Sequence, residues 1–288
     1  MTENIAASAV VASGAEIAEH VLIAHYCVIE KKASLGDSAK LGVGCVLAGG
    51  SQIGPGCVLG NYVTVGEGAR LEQGVTVGDH TVIAPGTVIG RNSFLGSNST
   101  IGRLPKAAAT STVKNQPGMK PLRLGPDCII GCSTVLYAGT VLGEGVFVGD
   151  RALIREKCLI GNKVVVGSGS VVENDTTIGQ YTKIQTASYI TAYMDIAERV
   201  FIAPMVTTTN DNYMGRTEKR FQRIKGATIG KGARIGGGSI LLPGIEVAEE
   251  SFIAAGALVT KDTERAKIHI GFPARPVREV PSDELLEE

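Results

Sequence analysis

The side chains best suited to chemistry lie between Thr207 and Thr228, in the stretch TTTNDNYMGRTEKRFQRIKGAT. Asn210, Asp211 and Asn212 place amide and carboxylate groups in a row. Tyr213 adds a phenol, and Arg216, Lys219, Arg220, Arg223 and Lys225 add cations. Such a set orients a polar substrate. Asp211, with an ordinary pKa near ~3.9, is a poor base unless desolvation raises it. Asn and Asp are also plain turn formers, so a structural role stands beside the chemical one. A repeating scaffold that interrupts itself with a chemically dense loop is usually presenting that loop.

A second such stretch is RLPKAAATSTVKNQPGMKPLR, Arg103 to Arg123, with five basic residues and no acidic one. So one-sided a loop suits a phosphate clamp, most economically for a pyrophosphate. Lys106 and Lys114, with the hydroxyls of Ser111 and Thr112, are the candidates. A solvated excursion or an arm tying protomers together explains the same residues. Tyr181, Tyr189, Tyr193 and Tyr213 cluster towards the other loop, where a ring with a polar tip stacks a base or fills an interface. Gln185 follows an apolar Ile and is expected at an edge, near a subunit seam.

What positions these residues is a six-residue beat. From Ile5 to Ile101 every sixth residue is Ile, Leu or Val; the beat resumes from Leu124 to Ile202 and again from Ile229 to Val259. No helix places every sixth residue on one face, because six steps of about 100° do not close a turn. Short strands with sharp corners do, three to a triangular coil, with small residues four after each aliphatic and Gly or Ala one after it. Each inward aliphatic contributes roughly 1.5–3 kcal/mol of transfer free energy. The expectation is a parallel β-solenoid. Its segments are coils over 1–102, a basic loop over 103–123, coils over 124–206, the active-site loop over 207–228, coils over 229–262 and a tail over 263–288. Ser282 is expected to cap a last helical turn in that tail.

Balanced charge, 28 basic against 28 acidic residues, gives no global field for nucleic acid or membrane. No run approaches a membrane span and the N-terminus has no secretory pattern, so a soluble cytoplasmic protein is expected. His20 and His25 lie five apart without a third His upstream, and no metal is expected. Five cysteines fall in the small inward slot and Cys132 does not, which reads as reduced, buried small residues.

The pattern [LIV]-[GAED]-x-x-[STAV]-x resembles the hexapeptide-repeat transferase family. That resemblance implies an all-β, left-handed parallel β-helix, here of about twelve triangular coils with two loop excursions and a short C-terminal tail. It also implies a homotrimer with acyl-CoA between neighbouring coils. FIAPMVTTTNDNYMGR followed by KGATIGKGARIGGGSILLPGIEVAEESFIAAGALVTKD resembles the branch acetylating nucleotide-linked amino sugars, particularly dTDP-linked 3-amino-3,6-dideoxyhexoses for surface glycans. Acetyl-CoA is then the donor, and Asn210, Asp211 and Gln185 are the catalytic candidates. Asp211 is expected to orient the amine and Asn210 to position the sugar or the thioester carbonyl. Tyr193, Asn212, Tyr213, Arg216, Lys106 and Lys114 are the substrate contacts. Gly237 and Ala255 offer bare backbone to a pantetheine arm, and Lys231, Arg234, Lys261 and Arg275 lie where the family's cations meet CoA phosphates. Members that act on hydroxyls commonly use a His; none lies near this loop, which favours an amine acceptor. Transfer from acyl carrier protein, or a scaffold without turnover, are the competing readings.

Overall fold

The structure is a computed structural model that describes residues 4–110 and 118–287. It is an all-β parallel solenoid of about 14 turns with three sheets. Among the described residues there is no α-helix, and no helix is long and apolar enough to cross a membrane. The chain divides into two compact units, Met1–Arg151 and Ala152–Glu288.

In the first unit the strands are mostly two residues long, an outward residue then a buried aliphatic, as in Val28–Ile29 and Thr64–Val65. Each pairs in parallel with the strand 18 residues on, Val28 with Val46 and Ile29 with Leu47. Three six-residue units therefore make one turn, and every aliphatic lands on the aliphatic of the next turn. The small slot does more than save space. The Cys45 thiol donates to Gly60 O at 3.0 Å, the Thr81 hydroxyl to Gly96 O at 2.8 Å and the Cys128 thiol to Gly143 O at 3.1 Å. Small hydroxyls and thiols thus satisfy carbonyls that the corners would leave buried and unpaired. Cys27, Cys45, Cys57, Cys128 and, in the second unit, Cys158 are buried, whereas Cys132 is exposed. Burial pushes the Cys128 thiol up to about 11, as suits an inert core residue. The beat breaks where Thr100–Arg103 shifts register against Val135–Tyr137, and the chain re-enters at Arg123–Leu124.

The second unit repeats this construction: Ser170, Thr182, Ser188 and Ser239 hydroxyls each donate to a carbonyl of the following turn. Gly after an inward aliphatic serves close stacking here. A side chain on Gly236 would collide with the Ala255 amide of the next turn, so its role is approach of backbone to backbone. The left-handed residue of a corner lies two places later, at Gly238.

Rungs beyond the aliphatic series extend the stack. Thr208 occupies an inward slot, 1% exposed, and Lys267–Gly271 adds a strand in parallel with Phe252–Ile253. The tail then folds as a β-hairpin, Lys267–Gly271 against Ala274–Glu279, with a cis Phe272–Pro273 bond in its turn. Ser282 does not cap a helical turn: it lies inside a short 3-10 turn, Ser282–Glu284, preceded by Pro281 and lacking any side-chain cap. Proline without a hydroxyl cannot cap, and the chain is extended again at Leu285.

Candidate active site

Each turn of the second unit has three corners. The first-corner residues are 155–158, 173–176, 191–194 and 242–245; the second are 161–164, 179–182, 197–200, 230–233 and 248–251; the third are 167–170, 185–188, 203–206, 236–239 and 254–257. The excursion over 209–227 replaces the first corner of its turn, leaving from Thr207–Thr208 and returning at Thr228–Ile229.

Both ends of the excursion are tied to the turn before it, and its start also to the turn after it. Thr209 N–H and Oγ1–H donate to Leu241 O at 3.1 and 3.0 Å. The Asn210 amide Nδ2 donates to Ala192 O at 3.3 Å, and Asn210 O accepts from Lys225 N–H at 3.1 Å. Gly226 N–H donates to Tyr193 O at 3.1 Å; any side chain there would meet Met194, Ala192 O and Tyr193 O. Asn210 and Lys225 therefore close the base of the loop, and glycine at 226 lets it close against Tyr193.

Inside the loop both oxygens of Asp211 hold backbone amides. Its Oδ1 accepts from Tyr213 N–H at 2.8 Å, its Oδ2 from Gly215 N–H at 2.9 Å, and Arg220 Nε lies 3.5 Å from Oδ2. These amides, Gly215 first and then Tyr213, hold the carboxyl below the usual range. Asp211 thus braces its own loop, and its lowered pKa disfavours it as a base. Each carboxylate oxygen keeps a further lone pair, so these bonds are compatible with the expected orienting of a substrate amine. Asn210 differs. Its Nδ2 contact sets the amide's orientation and leaves Oδ1 without a hydrogen bond among the described residues. Tyr213 and Asp211 are half-buried, Asn212 and Arg216 exposed, and Tyr193 stands exposed on the same corner.

The other candidates are spread over the solenoid. Gln185, Gly237 and Ala255 share the third corner, with Gly256 N–H donating to Gly237 O at 2.9 Å. Lys261 is exposed beyond Leu258–Val259, after the last first corner. Lys231 and Arg234 are held within the chain. Lys231 Nζ lies 2.8 Å from Glu198 Oε1, and Arg234 Nη1 2.6 Å from Glu284 Oε2, with its guanidinium over the Phe252 ring. Tail and corner thus compete for the cations expected to meet CoA phosphates. Arg275 is exposed on the hairpin, its Nη1 donating to Ala274 O. Lys106 is exposed in the first unit; Lys114, Ser111 and Thr112 lie outside the described residues.

The sequence reading passed over His269. It is buried opposite Ile253 in the last inward slot of its sheet, and burial lowers its pKa, so the ring is neutral. It lies on a strand and not at the excursion. Among the described residues no group of three or more His, Cys, Asp or Glu is placed to hold a metal.

Two repeat families match the chain: "Bacterial transferase hexapeptide (six repeats)" over residues 32–67 and 68–103, and "Hexapeptide repeat of succinyl-transferase" over residues 226–261. Among curated relatives, a dTDP-4-amino-4,6-dideoxy-D-glucose acyltransferase of Escherichia coli is 35% identical over 102 residues, 34% of this chain and 53% of that protein. A putative acetyltransferase of Saccharomyces cerevisiae is 34% identical over 88 residues, 30% of this chain and 45% of that protein. The chain spans about half the length, or less, of the curated relatives it matches. Among solved structures, UDP-N-acetylglucosamine acyltransferase from Campylobacter jejuni aligns with a TM-score of 0.43 at 19% identity, over 71% of this chain and 70% of that one. Hexapeptide repeats of bacterial transferases are therefore matched over residues 32–103 and 226–261 of this chain.

Proposed function

We propose that this chain moves an acetyl group from acetyl-CoA to the amine of a nucleotide-linked amino sugar, in a site shared between copies of the chain. The state of Asn210 carries the reading. With Nδ2 committed to Ala192 O, its free Oδ1 is an acceptor for a substrate amine at the mouth of a pinned loop. An amine hydrogen bonded through N–H keeps its lone pair for attack on the thioester carbonyl. The C–N bond forms first to give a tetrahedral oxyanion, whose collapse breaks the C–S bond, and the proton lost from nitrogen ends on the departing thiolate. The intermediate oxyanion is best stabilised by preorganised backbone N–H groups, and the bare third corner at Gly237 and Ala255 exposes such backbone. A neutral amine needs little base catalysis, which agrees with an excursion that contains no His.

Within one copy the first and third corners stand at opposite ends of a strand, at most about 20 Å apart for six residues at ~3.3 Å each. Three copies around an axis would set one copy's excursion against the next copy's third corner, which is why we assign a homotrimer. The E. coli relative supports the acceptor class, since its own name gives an amino sugar on dTDP. That name puts the amine at C4, whereas the loop motif resembles enzymes for C3 amines; the shared class, a dTDP- or UDP-linked amino-deoxyhexose, is the proposal.

The test is release of free thiol from acetyl-CoA in the presence of dTDP- and UDP-linked amino sugars. Each is set against the matching hydroxyl sugar. Release with an amino sugar and not with its hydroxyl counterpart supports the proposal. Release with neither, or with the hydroxyl sugar alone, rejects it.

A further inference from the structure

Away from the excursion, a cavity of about 380 Å³ opens in the second unit, lined by Lys163, Tyr181, Lys183, Arg199, Val200 and Phe201. Its construction follows from the repeat. Lys163, Tyr181 and Arg199 are the left-handed corner residues of three successive turns, with φ of 55°, 61° and 56°. Lys183 and Phe201 are paired outward residues of neighbouring strands. The 18-residue period thus stacks three cations and two aromatic rings on one patch.

Three features of this patch need an explanation. The Tyr181 ring is flanked by charge, with Lys163 Nζ 5.6 Å and Arg199 Cζ 5.2 Å from its centre. Lys163, Lys183 and Arg199 form no ion pair among the described residues, and no carboxylate lines the cavity. The nearby carboxylate, Glu198, is already taken by Lys231 at 2.8 Å and Gln180 at 3.0 Å. Finally, Tyr181 and Phe201 are each 40% exposed although both are large and apolar. Clustered cations repel one another until an anion neutralises them. A purely anionic ligand would leave both rings idle, and a purely apolar one would strip water from three charges for nothing in return. A ligand that is flat and aromatic at one end and multiply anionic at the other uses every lining residue.

We infer that this pocket binds a nucleoside diphosphate, its base stacked on Tyr181 or Phe201 and its phosphates on Lys163, Lys183 and Arg199. Arg and Lys are the phosphate donors of choice, base–aromatic stacking tolerates any base, and the volume is in the range of about 300–1,000 Å³ usual for small ligands. The inference rests on the proposed function and adds to it the place where a nucleotide is held. Two substrates of that reaction carry the chemistry, the sugar nucleotide and the nucleotide end of CoA.

The test is calorimetric titration of the full chain with UDP, dTDP and CoA separately. Wild type is compared with Lys163→Ala/Arg199→Ala, Tyr181→Ala and Arg199→Lys. All sites are on the surface, so unchanged melting midpoints verify folding. At least tenfold weaker binding of UDP or dTDP by the double variant, a smaller loss for Tyr181→Ala and near-normal binding by Arg199→Lys support the pocket and assign it to the sugar nucleotide. The same pattern for CoA alone supports it and assigns it to the cofactor. Unchanged dissociation constants for all three, or no binding of any of them by wild type, overturn it. Thiol release is read separately, so a wild-type chain that acetylates amino sugars while its variants bind nucleotide normally loses the pocket and keeps the function.

Discussion

Thr208 Oγ1 accepts the Thr191 N–H at 2.8 Å and donates to Tyr189 O at 3.0 Å, from a slot that every neighbouring turn fills with an aliphatic. At this rung Tyr189 pairs with Thr207, and the regular ladder to the previous turn goes no further. The hydroxyl replaces the missing main-chain bonds just before the chain leaves for the excursion. Pattern alone would recommend Val at 208. We predict instead that Thr208→Val destabilises the chain by about 1–3 kcal/mol, because a buried N–H and a buried carbonyl both lose their partner. A melting midpoint equal to or above wild type would contradict this.

Asp211 sets a second expectation. Since its carboxylate binds Tyr213 and Gly215 amides, Asp211→Ala should loosen the loop and lower kcat roughly ten- to hundredfold through misplacement of its neighbour. Asp211→Asn keeps one acceptor oxygen and should fall between. CoA affinity, read by calorimetry, should be unmoved in both. A loss confined to CoA binding would show that the loop's shape is not what Asp211 provides.

If the proposed function holds, Asn210 is the residue on which turnover should depend most. Asn210→Ala should cut kcat about a hundredfold or more, a positioning loss. Asn210→Asp retains an acceptor but loses the Nδ2 tie to Ala192, and should recover only part of it. Steady-state kinetics with a saturating amino-sugar nucleotide reads both. Equal rates for wild type and Asn210→Ala would remove Asn210 from the mechanism.

His269 makes stability depend on pH. Burial depresses its pKa below the ordinary 6.5, so the unfolded chain takes up a proton first as pH falls. Its contribution is therefore complete above about pH 6.5 and is lost progressively below it, down to the depressed folded value. His269→Leu, which restores an aliphatic opposite Ile253, should flatten this part of the melting profile. An identical slope in the variant would place the acid sensitivity elsewhere.

How much of this was legible in the sequence differs by residue. The solenoid was, because its inward slot recurs every six residues and nothing but short strands with corners satisfies that spacing. Thr208 was not, since the rule sought aliphatics and a threonine qualifies only through two main-chain bonds visible in three dimensions. His269 escaped because the irregular link over 260–266 moves it out of phase with the beat. The pairing of Lys231 with Glu198 was equally hidden: the excursion between them offsets the 18-residue register, so counting along the chain does not bring them together. Asp211 was legible by type alone, which fits catalysis and turn formation alike, and only the positions of the Tyr213 and Gly215 amides show that it braces the turn.

The central claim is that one copy's Asn210 works against another copy's third corner, and co-expression of two inactive variants tests it most directly. Asn210→Ala removes the loop's acceptor. Gly237→Val crowds the third corner, where a side chain would lie 3.3 Å from Pro204 O. Each should be nearly inactive alone in thiol release. Purified mixed trimers should regain activity, about a third of the wild-type value, because one of their three sites joins an intact loop to an intact corner. Mixed oligomers as inactive as their parents would mean that loop and corner act within one copy, contradicting the account.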